Sequence, residues 1–149
     1  MKKYLNNYRS EIISILALIV AIISTWTSIH YSKLNNKTNI LPLLVFLYNE
    51  EEGWLLKNVG NGPALNITIV YQKHNETKWC KPTRSYPIEN GVQINISWVG
   101  DNPNKLGVTY FDAYNKVYNS ICDDDLTKIF HENILPVWKN SEVKRIWEQ

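Results

Sequence analysis

The chain is short of the residues that carry most enzymatic chemistry. Of its 149 residues only three are histidine and two are cysteine. His30, His74 and His131 lie far apart, and none falls in a metal-ligand spacing such as HExxH. There is no P-loop, GxSxG or CxxC, which removes the commonest phosphate-binding, hydrolase and thiol-redox signatures. Cys80 and His74 stand six residues apart in a loop-like stretch, a spacing that does not read as a nucleophile pair. Two cysteines leave the compartment open, since Cys80 and Cys122 can pair outside the cytosol or stay reduced inside it. A net charge of +2 excludes global polyelectrolyte behaviour, so duplex nucleic acid is not an expected partner. No enzymatic activity, metal or cofactor is expected.

What is present begins with a long apolar run. Residues 12–29, IISILALIVAIISTWTSI, contain no charge. As a helix rising about 1.5 Å per residue, such a run spans a bilayer core of roughly 30 Å. Ser10 and Glu11 suit a helix start, with residues 1–11 as a flank. Trp26, His30 and Tyr31 suit the headgroup layer. The run exceeds a usual signal-peptide core and no small-x-small cleavage site follows, so an uncleaved single-pass anchor in the plasma membrane is expected. Lys2, Lys3 and Arg9 precede the run and Lys33 and Lys37 follow it, a slight lean towards an external domain. Within the run, Ser14, Ala17, Ala21, Ser24 and Ser28 recur at spacings of three and four. Such a small-residue stripe lets membrane helices approach closely, which predicts a homo-oligomer.

Residues 30–40 read as a polar tether, and 41–149 as one soluble β-domain. Apolar runs of strand length follow at 43–48, 54–59, 65–72, 92–99, 106–111 and 116–121, separated by turn signals. Asp123, Asp124 and Asp125 suit the N-terminus of a short helix over LTKIFHENI rather than a metal site. The tail from residue 137 reads as a last amphipathic helix, with Trp138, Ile146 and Trp147 packing on the sheet. The expected fold is mainly β: a small antiparallel sandwich or partly open barrel, an N-terminal transmembrane helix and short C-terminal helices.

At LLKNVGNGPALNITIVY the chain resembles a family of small prokaryotic single-pass membrane proteins whose β-domain carries an N-x-G-x-GPA-x-N pattern. Asn58, Gly60, Gly62, Pro63, Ala64 and Asn66 match it, and VTYFDAYNKVYNS resembles the Y-x-D hairpin that often follows. The resemblance implies topology and fold rather than an activity. In architecture alone, the chain is also similar to small antiphage membrane effectors associated with type III CRISPR systems. That likeness implies a cytosolic sensor domain, a cyclic oligoadenylate ligand and a membrane output.

Two stretches are candidates for binding. In KHNETKWCKPTRSY (residues 73–86), Lys78, Lys81 and Arg84 are interleaved with Trp79 and Tyr86. Cations beside aromatic faces suit phosphates joined to stackable bases. These five residues are the expected ligand site for a cyclic oligonucleotide or another anion. In GNGP, Gly60 and Gly62 are expected to supply positive φ angles and Pro63 to fix the entry to a strand, with an anion nest as the competing reading. The alternative to a sensor is an external envelope module that binds another protein, with Cys80 joined to Cys122.

Overall fold

A computed structural model describes the backbone of residues 2–38, 40–100, 102–124 and 126–146, and the side chains of 11–34, 40–100, 102–124 and 126–146. The chain divides into two compact units, Met1–Thr38 and Asn39–Gln149.

The first unit is one helix, α1 (Lys2–Thr38). No proline or glycine occurs within it, so nothing interrupts the hydrogen-bond ladder. Its segment Glu11–Leu34 is exposed and contains an 18-residue window of mean hydropathy 2.3, with the length and apolarity to cross a bilayer. Two expectations are corrected here. Ser10 lies inside the helix and is not its cap. The polar stretch expected to be a tether is helical as far as Thr38, because polar residues without a breaker continue a solvated helix. Thr25 and Thr27 bond back to the carbonyls of Ala21 and Ile23.

Among its described residues the second unit has nine strands: β1 (Leu44–Asn49), β2 (Gly53–Asn58), β3 (Leu65–Gln72), β4 (Trp79–Arg84), β5 (Gln93–Asn95), β6 (Lys105–Phe111), β7 (Val117–Asp123), β8 (Leu126–Phe130) and β9 (Lys144–Arg145). They form two open sheets, β1-β2-β5 and β8-β7-β6-β3-β4-β9. All pairs are antiparallel except β4–β9. One core holds the sheets together. Leu44, Phe46, Trp54, Leu56, Ile94 and Ile96 come from the smaller sheet or its border, and Ile67, Ile69, Tyr71, Leu106, Val108, Tyr110 and Tyr118 from the larger. The fold is a sandwich, not a barrel.

The two core tyrosines keep their hydroxyls paired. Tyr110 Oη accepts from Leu44 N–H and lies 3.2 Å from Ser120 Oγ. Tyr118 donates to Asp112 Oδ2 at 3.0 Å, and the rings stack at 5.7 Å. Burial, reinforced by the Asp112 carboxylate, pushes the Tyr118 phenol up to about 12. The other Asp112 oxygen accepts from the N–H groups of Tyr114 and Lys116, closing the β6–β7 hairpin.

Among the described residues the expected C-terminal α-helices are not found. LTKIF is β8, paired to β7 from Asp123–Leu126 onward, and Asp124 between them takes φ 49°. The acidic run therefore makes a hairpin instead of capping a helix, since β7 offered a free edge to an alternating segment. Asp125 lies outside the described residues. The described part of the tail contains a 3₁₀ turn, Asn140–Glu142, followed by β9, and Trp147 lies outside the described residues. The strand expected over 92–99 stops at Asn95, whose Oδ1 accepts from Ser97 N–H as the chain turns into a 3₁₀ turn at Ser97–Val99.

Candidate functional site

In an antiparallel sheet, residues paired across strands share a face. One face of the six-stranded sheet is in the core. On the other face, the register aligns Arg84, Thr68, Thr109 and Asn119 in one polar row across β4, β3, β6 and β7. Thr109 donates to Asn119 Oδ1 at 2.8 Å. A neighbouring row is apolar, with Val70 paired to Gly107 and Gly107 to Ile121. A Cβ on Gly107 would lie 3.0 Å from the Trp79 ring and 3.1 Å from Leu135, so this glycine makes room for both.

Residues 131–143 cover this face as a strap. The chain leaves β8 at one edge of the sheet and returns as β9 at the opposite edge, so it must cross the strands between. Leu135 is its buried anchor, and the Asn119 amide donates to Glu132 O. Between strap and sheet is a partly open cavity of about 390 Å³. Its floor includes Asn66, Thr68, Val70, Thr109 and Phe111, and its roof Leu135, Pro136 and Trp138, with Arg84 at the β4 side. Among the described residues that line it there is no carboxylate and one cation, Arg84.

Two side chains of the lining residues each hold an unsatisfied donor. Arg84 Nε and Trp138 Nε1 are sealed from solvent and have no hydrogen-bond partner among the described residues. Only the outer end of the guanidinium is engaged, Nη2 lying 3.3 Å from Asn140 Oδ1. A buried donor without an acceptor costs on the order of 1–3 kcal/mol, more when it is charged. Neither nitrogen has room for a water molecule beside it, so both sit behind the cavity wall in this arrangement.

The expected loop site is thereby reorganised. Its second half is a strand, β4, with a bulge where Lys81 takes φ 47° and Pro82 cannot donate to the ladder. Trp79 and Arg84 stay on the strap side, and only Arg84 lines the cavity. Lys81 turns to the other side, with Nζ 5.9 Å over the Tyr71 ring. Lys78 and Tyr86 are exposed beyond the two ends of β4. The five residues do not converge on one point. The stripe Ser14, Ala17, Ala21, Ser24 and Ser28 lies on one exposed side of α1, within an arc of roughly 80° at 3.6 residues per turn.

The N-x-G-x-GPA-x-N residues are structural. Asn58 is fully buried. Its amide donates to Gly62 O and Ile88 O, and its Oδ1 accepts from Gly60 N–H and Leu43 N–H. Gly60 and Gly62 do not have positive φ, contrary to expectation. They are glycine because a Cβ would sit 2.3 Å from Leu41 O and 1.9 Å from Ile40 O respectively. The N–H groups of Gly60, Asn61, Gly62 and Ala64 all have acceptors inside the fold, so the turn is not an anion nest. Asn66 takes φ 49° at a break in the β3–β6 register, a conformation asparagine tolerates.

The Cys80–Cys122 bond is excluded. Neither cysteine is in a disulfide, and the register runs Cys80–Tyr71–Leu106–Cys122. Three steps between strands separate their Cα atoms by roughly 14 Å, against about 4.4–6.8 Å in a disulfide. Among the described residues no group of three or more His, Cys, Asp or Glu side chains is placed to hold a metal. Compared with protein-family models, curated proteins and solved structures, the chain matches none. Sequence reasoning missed Thr68, Thr109 and Trp138 as site residues. The first two were hidden in ordinary strand alternation. Trp138, two residues after Pro136, was assigned to a helix.

Proposed function

We propose that the chain is a membrane-anchored, non-enzymatic receptor whose β-sandwich binds a small anionic ligand under the strap. The observation that carries this reading is the cavity under the strap, whose described lining residues include one cation, Arg84, and no acid. The cavity is in the lower part of the size range of small-molecule sites. Support for the anchor comes from the 24-residue apolar span of α1, with the plasma membrane as its place. Support for a homo-oligomer comes from the exposed small-residue stripe of α1. In this reading the ligand shifts the helix arrangement only through a differential affinity for its states. A cyclic oligoadenylate, with the domain in the cytosol, is the member of the anion class that the effector-like architecture brings to the test.

The test is a thermal-shift series on the full chain in detergent micelles, with acetate, phenylacetate, AMP and cyclic tetra-adenylate as probes. At least one anion is expected to raise the melting temperature of the chain while leaving Arg84→Met unmoved. Equal shifts in the two proteins, or none in either, would reject the cavity as the site.

A further inference from the structure

We infer that one end of the β-sandwich docks on the headgroup layer of a bilayer, through Val59, Tyr86, Val92 and Tyr114. This rests on the reading of α1 as a membrane span. The register decides which loops share that end. The chain enters the sandwich at residues 40–43, and Leu43 O accepts from Val59 N–H next to the pairing of Leu44 with Asn58. Val92 O accepts from Asn58 N–H, so the approach to β5 lies at the same end. In the larger sheet, Leu65 at the start of β3 pairs with Phe111 at the end of β6, and the β6–β7 turn lies just beyond. Ser85 N–H donates to Ile67 O and Ala64 bridges to Ile88, which brings the exit from β4 alongside. Loops 59–64, 85–92 and 112–116 therefore gather at the end where the chain enters.

These loops expose apolar and amphipathic side chains, Tyr114 at 70% above all. Tyrosine rings favour the headgroup level, where one edge is apolar and the other wet. The charges of the two ends differ as well. Exposed Lys116, Lys144 and Arg145 stand at the entry end against Glu89 and Glu132, with Arg145 placed there by its pairing beside Arg84. At the opposite end exposed Glu50, Glu51, Glu52, Glu76 and Asp124 outnumber Lys73 and Lys78. That end also exposes Tyr48 and Leu126, but its acids are repelled by anionic lipid. Connectivity selects the same end. Residues 35–38 alone separate the apolar span Glu11–Leu34 from the second unit, a reach of about 14 Å even when fully extended. Weak contacts suffice for a surface kept this close by its own chain.

The experiment places the full chain in nanodiscs containing phosphatidylglycerol and a gadolinium-chelating headgroup lipid, and reads paramagnetic relaxation of backbone amides by NMR. Amides of Val59, Tyr86, Val92 and Tyr114 are expected to relax several-fold faster than those of Glu51, Asn75 and Asp124. The double variant Val59→Ser with Tyr114→Ser should narrow that ratio about twofold or more, by removing apolar contact area from the interface. Both positions are exposed, and unchanged amide shifts in the core of β6 and β7 check that the fold is kept. Tyr48→Ser, at the opposite end, should leave the ratio as it is. A ratio untouched by the double variant would show a domain held near lipid by its chain alone, and would overturn the docking. Equal relaxation at the two ends, or an effect of Tyr48→Ser as large as that of the double variant, would overturn it too. In each of these cases strong relaxation at the two ends of the span 11–34 keeps the anchor reading. Its absence there would overturn the anchor and the docking together.

Discussion

Placing a methyl group on Gly60 tests the account of the Asn58 turn. In Gly60→Ala the new Cβ would stand 2.3 Å from Leu41 O and 2.3 Å from Leu43 N, both backbone atoms that no rotamer change can move aside. The segment 41–43 must retreat by about 1 Å to reach ordinary contact. That segment accepts from Asn61, Gly62 and Val59 at 2.9, 3.3 and 2.8 Å, and donates from Leu43 to Asn58 Oδ1 at 3.2 Å. A displacement of this size takes several of these beyond bonding distance. Two lost hydrogen bonds and their buried, unpaired groups amount to about 3–5 kcal/mol, a large share of the ~5–15 kcal/mol that stabilises an ordinary domain. Urea unfolding of the full chain in micelles, followed by tryptophan fluorescence, reads this as a midpoint lowered by roughly 2 M. Gly91→Ala is the control. Gly91 has φ 76° but nothing within 4 Å, so only the left-handed backbone penalty of about 1–2 kcal/mol applies. If Gly60→Ala costs no more than Gly91→Ala, the close-approach explanation is wrong.

Three other outcomes are expected. Tyr118 has its phenol raised from 10.0 to about 12, so the native state holds that proton longer than the unfolded chain does. Its share of stability is complete below about pH 10 and lost as the pH climbs towards 12, on the order of 3 kcal/mol. Tyr118→Phe should flatten that part of the alkaline stability curve, and an unchanged slope would refute the assignment. Oxidation of the full chain by copper phenanthroline, followed by peptide mapping, should yield no Cys80–Cys122 peptide pair; finding one would disprove the β4-β3-β6-β7 register. Replacing Ala17 and Ala21 by Ile should weaken self-association in bilayers, measured by energy transfer between labelled chains, several-fold more than Ile→Leu changes at Ile15 and Ile22. Equal effects would dismiss the stripe.

Strands with a strong local signature were legible in the sequence. The residues 65–72, LNITIVYQ, were read at the same bounds as β3, because β-branched content and flanking turn residues agree there. The hairpin around DAYN was equally plain, since Asp112 bonds within its own turn. Elements decided by distant partners were not. LTKIF has a helix-like composition and becomes β8 only because β7 presents an edge to it. Lys144 and Arg145 become β9 only against β4, far earlier in the chain. The reason for Gly60 and Gly62 was invisible for the same cause, as Ile40 and Leu41 are not turn neighbours in sequence. The candidate site combined both kinds of signal. Arg84 was found from its local cluster, whereas Thr68, Thr109 and Trp138 belong with it only through sheet register and the crossing strap.

The strap also orders events in time. Ribosomes deliver a chain from its N-terminus, and domains fold as their parts emerge. Strands β1 to β8 are all complete before residues 131–145 leave the exit tunnel. Until then Val70 and Gly107 face water and the outer side of β4 is an unpaired edge, a template on which another chain can add a strand. The final tuck of Leu135, with Lys144 and Arg145 laid beside Thr83 and Arg84, closes both exposures at once. The cavity under the strap is thus among the last parts of the domain to come into being, and a nascent chain stalled before residue 131 would be a sticky half-sandwich without it.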